Sequence, residues 1–390
     1  MAAEATRPED TPDVSVILPA LNEEKTIASC IGKIQSAFRD AGISGEIIVS
    51  DSSTDATPEI ARKLGARVIH PERPGYGNAY LAAFPEARGK VVVMGDADDT
   101  YDFADIPRLI EPIAKGADLV IGSRFRGVIT AGSMAPFHRY LGNPLLTWLM
   151  NALYHTRFSD THSGFRAITR EALARLDLKT GGMEFASEML IRASERGLTI
   201  VEIPITYSPR QSPSKMHSFA DGWRHLRFVL LMRPVPFLAL PGIAFAAIGF
   251  ILMALFYGAG SLETSHFNSF ILGTLLLLGG VQTFLTGVEI SVYSIVHGYQ
   301  EKRGLVAGIM NYHRLEELLL AGGILVLLGF ALGLRIIASW VAEGFGELAG
   351  FSNAIVSMVL IVVGMQVLFF AIFTSMMLLN ENNRHGHAQG

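Results

Sequence analysis

The sequence predicts two domains in two solvents: an α/β domain built on a doubly wound sheet, then an all-α membrane domain. Three observations carry this. Through the first half, short apolar runs alternate with segments of helical period, the pattern of strand, helix, strand. Mean hydropathy is +0.35 and only 17% of residues are charged, which is apolar for a globular chain. That excess lies almost entirely after Arg233. The formal net charge of the 390 residues is −4, which gives no reason to expect a nucleic-acid partner. A single cysteine, Cys30, excludes an internal disulfide framework and fits a reducing compartment. Its place on the apolar face of a predicted helix assigns it to core packing.

Residues 1–13 lack apolar core positions and read as a disordered lead rather than a signal peptide. Val14 to Leu18 is the first buried strand. Pro19, Ala20 and Leu21 turn out of it, and Asn22 is the expected N-cap, with Glu23 and Glu24 in the first helical turn. Ile27, Cys30, Ile31, Ile34, Ala37 and Phe38 recur at helical spacing, and Gly42 stops the helix. Glu46 to Ser50 is a second strand, ending in Asp51-Ser52-Ser53-Thr54-Asp55. A helix from about Thr57 carries Pro58 in its first turn, and Ala66 to His70 is a third strand. A dinucleotide-binding enzyme would place G-x-G-x-x-G directly after the first strand. Here that position reads PALNEE, without glycine. Gly75-Tyr76-Gly77-Asn78 comes only after the third strand, before a helix expected over 79–87, and reads equally as a phosphate approach or a plain turn.

The centre of the domain is Lys90 to Asp102, KVVVMGDADDTYD. Val91 to Met94 is an unbroken apolar run, the mark of a strand buried on both faces. It breaks at Gly95 into Asp96, Asp98, Asp99 and Asp102. Ligands of open α/β sheets sit at the carboxyl ends of the strands, and alternating carboxylates there can hold a hard divalent cation against phosphate oxygens. An Asp-x-Asp tripeptide arises by composition about once in a chain this long, so the preceding strand is what gives it weight. A helix over 106–115 follows, then a strand over 118–122 with Ser123 and Arg124 at its end. Arg124, Arg126 and Arg139 gather toward the same sheet edge, and arginine forks suit phosphate. The run Tyr140 to Tyr154 is too short to span a bilayer; it can lie on a membrane surface or pack under the sheet. Glu184 and Glu188 share a helix over 183–196, a late strand covers 200–207, and Arg210 and Lys215 flank a loop.

Residues 219–234 mix Trp, Phe and Leu with Arg and His, the composition of an interfacial helix. Four spans follow, about 235–257, 268–294, 317–338 and 354–379, each near or above the ~20 residues needed to cross. The first and third joints between them contain no Lys or Arg, whereas the middle joint holds Lys302, Arg303 and Arg314, and Arg384 lies in the tail over 380–390. The positive-inside rule then puts the first domain and both termini in the cytoplasm of a cell or inner membrane. Glu289 falls toward the cytoplasmic end of the second span, an interfacial position.

Taken together in order, VILPALNEE, IIVSDSSTDAT, GYGNA, VVVMGDADDTYDF, LVIGSRF, DTHSGFRA, GMEFASEML and SPRQSPSK resemble the inverting family 2 glycosyltransferases of the GT-A fold. The nearest subgroup is the polyprenol-phosphate hexosyltransferases, the dolichol-phosphate glucose or mannose synthases. The resemblance covers Val14 to about Arg233, over the domain expected at 14–218 and the helix after it. It implies that Pro19, Ala20, Asn22 and Glu23 line the nucleotide pocket, with Asp51 gripping base or ribose, Ser53 nearby, and Gly77 and Ala97 beside the nucleotide sugar. Asp96 and Asp98 would hold Mg²⁺ or Mn²⁺ against the diphosphate, Asp98 more firmly. Arg124, Arg139, Ser163, Arg210 and Lys215 would hold the acceptor phosphate and the departing diphosphate, and Asp160 and Glu188 would orient sugar or acceptor. Asp98, Asp160 and Arg124 form the implied catalytic set. Mannose-transferring relatives often have Gln where this chain has Thr100, and relatives often read S-G-F-F where it has Arg166, a change expected to alter the acceptor or sugar pocket.

The implied reaction moves a hexose from a nucleotide sugar, UDP-glucose before GDP-mannose or a UDP-N-acetylhexosamine, to a polyprenyl or dolichyl phosphate. A processive polysaccharide synthase would carry Gln-x-x-Arg-Trp, whereas Gln211 is followed by Ser-Pro-Ser-Lys. A non-enzymatic scaffold has no need of Asp96 and Asp98. Oligomeric state is left open, a homo-oligomer included.

Overall fold

The computed structural model describes residues 11–211, 218–257, 264–300, 302, 304–345 and 351–386. The chain divides into two compact units that meet at Val229 and Leu230.

In the first unit the described residues form one seven-stranded sheet in the order β3-β2-β1-β4-β6-β5-β7. The strands are β1 Val14–Ala20, β2 Gly45–Asp51, β3 Arg67–Ile69, β4 Val91–Met94, β5 Leu119–Ile129, β6 Arg166–Thr169 and β7 Ile200–Tyr207. Pairing is parallel throughout except at β6, which runs antiparallel to both β4 and β5. The apolar runs of β1 and β4 are sealed on both faces; Val16, Ile17, Leu18, Val92 and Val93 are fully buried. Each such side chain contributes roughly 1.5–3 kcal/mol of burial.

Helix α1 (Ile27–Ala41) buries the six residues expected of it and ends at Gly42 in the left-handed region, φ 65°. Its start differs from expectation. Asn22 is not the N-cap but itself adopts φ 53°, and the N-cap is Thr26, so Glu23 and Glu24 lie in a turn ahead of the helix. Helix α2 spans Thr57–Lys63, with Pro in its first turn. Helix α3 (Tyr76–Ala83) begins directly at Gly75, three residues earlier than expected. Helices α4 (Ile106–Ala114), α5 (Asn143–Tyr154), α6 (Arg170–Ala174) and α7 (Phe185–Glu195) complete the unit, before α8 (Ser218–Met232). Strand β5 continues well past Gly122, so Ser123 and Arg124 sit inside it rather than at its end. Helix α5 is two-faced: Thr147, Met150 and Tyr154 are buried, whereas Leu145 and Trp148, with Phe137, Tyr140 and Leu141 just before the helix, are exposed.

The second unit contains α9 (Leu240–Phe256), α10 (Thr264–Val296), the short α11 (Gly304–Ile309), α12 (Tyr312–Ala342) and α13 (Phe351–Gly386). Four stretches are long and apolar enough to cross a membrane: Val235–Phe256, His266–Val296, His313–Ala342 and Phe351–Leu379. They pack as two hairpins, α9 on α10 and α12 on α13, with α10 against α13. Glycine seams explain the close approach. Gly242 and Gly249 on α9 face Gly273 and Gly280 on α10, successive members two helical turns apart. On the other hairpin a Cβ on Gly329 would meet Ser357 O at 2.9 Å, and one on Gly322 would meet Gly364 O at 2.9 Å.

Candidate active site

Strands β1, β2 and β4 are parallel neighbours, so Ala20, Asp51 and the loop after Met94 emerge on one edge of the sheet. Because β6 runs the other way, with Arg166 opposite Met94, the segment Asp160–Phe165 arrives at that same edge. Topology thus brings together two motifs separated by some sixty residues of sequence.

The β1–β2 side forms a small polar cradle. Pro19 and Ala20 pair with Ser50 and Asp51. The Asn22 amide donates to Ser53 Oγ at 2.7 Å, and Asn22 Oδ1 accepts from the Thr54 amide at 2.8 Å. Glu23 is buried and accepts a hydrogen bond from Thr26. At the centre stands Asp51, 1% exposed, with neither carboxylate oxygen hydrogen-bonded. Beside it lies His70, whose Nδ1 is 3.8 Å from the carboxylate and 3.1 Å from the Asp51 carbonyl. Arg62 donates to the other ring nitrogen, so in the neutral ring Nδ1 carries the proton.

The acidic loop rests on an aromatic base. Tyr101 stacks on Phe165, Phe103 meets Phe165 edge-on, and Tyr101 tilts against Tyr207. The four carboxylates have separate fates. Asp102 caps the following turn by accepting from the Ala104 amide. Asp99, at φ 62°, turns back to α1, where it accepts from Ser29 and Lys33 at 3.0 and 2.8 Å. Burial and the Asp99 charge push the Cys30 thiol up, so it stays a protonated core residue. Asp98 faces the site. Its Oδ1 accepts from the Thr100 amide and hydroxyl, and its Oδ2 accepts from Arg210, with Nε at 2.6 Å. Asp96 Oδ1 is buried without a hydrogen-bond partner. Burial, then the charge of Asp98, push the Asp96 carboxyl well above the usual carboxylate range, partly offset by Arg210, Tyr76 and Arg124.

These two carboxylates fit a divalent cation: one buried oxygen lacks a donor, and two like charges raise each other's cost. Among the described residues no cluster of three or more His, Cys, Asp and Glu forms. The protein therefore offers two carboxylates, and phosphate oxygens and water would complete the shell. Arg210 is the group such a cation would displace from Asp98.

On the β5 side Arg124 and Asp160 form a sealed bidentate pair, Nε to Oδ2 at 2.7 Å and Nη2 to Oδ1 at 2.8 Å. Asp160 also accepts from the Arg124 and His162 amides. Burial alone would raise the Asp160 carboxyl, but the Arg124 charge and hydrogen bonds hold it below its usual range. Its oxygens are thus committed to fixing Arg124, whose guanidinium lies over the Tyr207 ring at 5.2 Å. Glu202, which the sequence did not single out, accepts from the Ser159 and Asp160 amides and holds this loop. Ser163 is fully buried beside it. Glu188 spends its carboxylate on Lys179 and Thr180, so it braces the 179–181 loop that packs over Gly75 and Gly77. Ala97 is buried, its carbonyl accepting from Thr26. Arg139 stands apart, on the turn His138–Gly142 over the Tyr140 ring. Lys215 lies outside the described residues. Arg166, expected to alter the acceptor or sugar pocket, does not line it: it is 1% exposed and bonded to backbone carbonyls behind the site. Tyr101 and Glu202 carried no sequence signal of their own, because their partners, Gly164 for one and Ser159 and Asp160 for the other, come from distant segments.

A mixed α/β sheet, paired acidic and basic groups at its carboxyl edge and a four-helix apolar unit define a membrane-attached transferase of the GT-A fold. Residues 15–177 match Glycosyl transferase family 2, and residues 288–378 match the Glycosyltransferase family 2 C-terminal transmembrane region. The chain is 41% identical over 362 residues to the low-salt glycan biosynthesis hexosyltransferase Agl6 of Haloferax volcanii, covering 92% of this chain and 87% of that protein. It is 38% identical over 211 residues to a dolichyl-phosphate hexose transferase of the same organism, covering 54% of this chain and 89% of that protein. Among solved structures, glucosyl-3-phosphoglycerate synthase from Mycobacterium tuberculosis with Mn²⁺, UDP-glucose and phosphoglyceric acid is similar at 28% identity and a TM-score of 0.47, over 56% of this chain and 79% of that one. The chain belongs to glycosyltransferase family 2 and is a glycosyltransferase.

Proposed function

We propose that the enzyme transfers a hexose from a nucleotide sugar, with UDP-glucose the favoured donor, to the phosphate of a polyprenyl phosphate, with inversion at the anomeric carbon. The observation that carries this is the meeting, on one sheet edge, of the Asp96–Asp98 pair with Arg124, Ser163 and Arg210, in a chain that also carries membrane spans. A hexose donor and a lipid acceptor are both anionic, and that edge supplies both signs of charge. The relatives named for hexosyl and dolichyl-phosphate hexose transfer support the same reading.

The roles follow from chemistry. Asp51 accepts N–H donors of the base or ribose hydroxyls, within the Pro19, Ala20, Asn22, Glu23 and Ser53 cradle. Asp96 and Asp98 would hold Mg²⁺ or Mn²⁺, which when bound neutralises charge on the diphosphate. Arg124, oriented by Asp160, and Arg210, released from Asp98, hold the acceptor phosphate and the departing diphosphate. A phosphate oxygen attacks the anomeric carbon while the bond to the nucleoside diphosphate breaks. The acceptor is already an anion, so no strong base is needed.

The exposed Tyr140, Leu141, Leu145 and Trp148 rest on the lipid surface, presenting the site to a headgroup that stays in the bilayer. Lys302, Arg303 and Arg314 between the second and third spans set the catalytic unit on the cytoplasmic side. The test is label transfer by the full-length protein in lipid, with UDP-glucose, GDP-mannose and UDP-N-acetylglucosamine offered separately with polyprenyl phosphate. Label entering the lipid phase from UDP-glucose, and lost on adding EDTA, is the expected outcome. Transfer from another donor corrects the sugar, and none from any donor overturns the reading.

A further inference from the structure

Arg166 is the largest fully buried side chain of the catalytic unit, and its three hydrogen bonds all go to backbone carbonyls. Nε donates to Ser163 O at 2.8 Å, Nη1 to Ala186 O at 2.8 Å and Nη2 to Thr161 O at 3.0 Å. Among the described residues no carboxylate shares a hydrogen bond or ion pair with it. A buried guanidinium without such a partner costs free energy, and an apolar side chain would fill the space more cheaply. Its position explains what the cation does there. Arg166 opens β6 opposite Met94, which closes β4, so it stands directly behind the peptide that leads into Asp96.

The carbonyls it gathers belong to the two segments that flank the chemistry. Drawing Thr161 O and Ser163 O inward presses the opposite side of that loop onto the acidic residues. A Cβ on Gly164 would lie 2.8 Å from the Tyr76 hydroxyl and 3.1 Å from Asp96 Oδ2, so a side chain there would have to push Tyr76 aside next to Asp96. The Gly164 amide is fixed in turn by the Tyr101 hydroxyl at 2.8 Å. The third carbonyl, Ala186 O, lies in the first turn of α7, two residues before Glu188, whose carboxylate braces the loop over Gly75 and Gly77. One planar fork therefore ties the Ser163 loop to the helix supporting the Gly75–Gly77 turn. A lysine ammonium has no such fixed fork and cannot meet three carbonyls in this arrangement.

We propose that Arg166 is a positioning residue that sets the spacing between the Ser163–Gly164 loop and Asp96, and so the approach of acceptor phosphate to donor. The proposal rests on the acceptor and donor assignments made above. Its consequence is a partition: a site with slack between the two halves still binds donor but lets water compete with the phosphate acceptor.

The experiment compares the full-length wild type with Arg166→Lys and Arg166→Met in lipid, following hexose transfer and donor hydrolysis together. Arg166→Lys is expected to keep UDP affinity within about threefold while transfer falls roughly 10–100-fold, the range for residues that orient metal-site ligands. Hydrolysis is expected to fall far less, raising the hydrolysis-to-transfer ratio. Transfer and hydrolysis falling in parallel overturns the proposal, because that is mere loss of folded enzyme. Should Arg166→Met fail to fold, hydrogen exchange on Arg166→Lys decides: faster exchange confined to 161–164 and the start of α7 supports positioning, whereas no change or loosening across the sheet overturns it. A wild type that transfers nothing defeats the functional reading alone, since the exchange pattern still judges Arg166.

Discussion

Strand β2 carries a carboxylate at each end, and the two are treated in opposite ways. At its amino end Glu46 accepts from Ser15 Oγ and the Arg88 amide at 2.7 Å, and from the Arg88 and Arg67 side chains at 2.9 to 3.1 Å. At its carboxyl end Asp51 is more deeply buried, yet neither oxygen has a hydrogen bond. Leaving a buried carboxylate without donors costs several times what an ordinary hydrogen bond contributes. A fold keeps such a group only where something else supplies the donors. The contrast extends along the sheet: Asp96, beyond the carboxyl end of β4, also carries a buried oxygen without a donor. On the function proposed above, the saturated end serves stability and the unsaturated end is held ready for ligands.

The largest test of that division is Asp98→Ala. If the carboxyl edge does the chemistry, transfer falls by about a thousandfold or more, the loss of several kcal/mol of charge stabilisation. The thermal midpoint of the full chain is expected to stay close to wild type, because the lost Arg210 and Thr100 contacts are offset by relief of the buried Asp96 from a like charge. Transfer within tenfold of wild type breaks the comparison, because the chemistry would then not need the Asp98 carboxylate.

Asp51→Asn sharpens it. The amide keeps the shape but removes a charged acceptor, which contributes roughly 1.5–3 kcal/mol to a hydrogen bond. Nucleotide affinity is expected to fall about 10–100-fold by equilibrium binding, while stability holds or rises, since a buried carboxylate without a hydrogen bond has been removed. Weaker stability with unchanged nucleotide binding would mean that Asp51 is structural.

Much of this edge was legible in the sequence because it is local. Val91 to Met94 followed by Asp96 and Asp98 needs no tertiary information, and neither do the six buried positions of α1. What escaped is what depends on partners far along the chain. Asn22 has the chemistry of an N-cap, but Ser53 and Thr54, brought in by β2, draw it into the left-handed region that Asn tolerates. Strand β5 extends through Arg124 because β7 lies alongside it as far as Tyr207, which the polar tract after Gly122 does not announce. Arg166 beside its motif reads as a change to the acceptor or sugar pocket, but nothing in the motif shows that three carbonyls, one of them twenty residues away, take its side chain into the core. Asp160 and Glu188 read as residues that orient sugar or acceptor, and the partners that occupy each, Arg124 for one and Lys179 and Thr180 for the other, are not visible in the motifs. The glycine seams of the membrane unit are regular in spacing, yet only pairing of α9 with α10 and of α12 with α13 shows which glycines meet.

The smallest effect belongs to the amino end. Burial alone would raise the Glu46 carboxyl, but hydrogen bonds from Ser15 and Arg88, with the Arg88 charge, hold it below its ordinary value of 4.5. A carboxylate depressed by folding stabilises the native state in full above its unfolded-state value, and that contribution disappears as pH falls through the folded value. Glu46→Gln is therefore expected to cost about 1 kcal/mol near neutral pH, held down because Arg88 and Arg67 are partly exposed. The difference from wild type is expected to shrink once pH drops below about 4.5 and to vanish when the carboxyl is protonated in both states. Hydrogen exchange of β1 and β2 amides in the full chain, read across pH 3.5 to 7, measures it. Nucleotide affinity and transfer should stay at wild-type levels throughout, because Glu46 lies at the end of β2 opposite the candidate site. A deficit that persists unchanged at pH 3.5 would trace the cost to packing rather than charge, and a fall in transfer would erase the distinction between the two ends of β2.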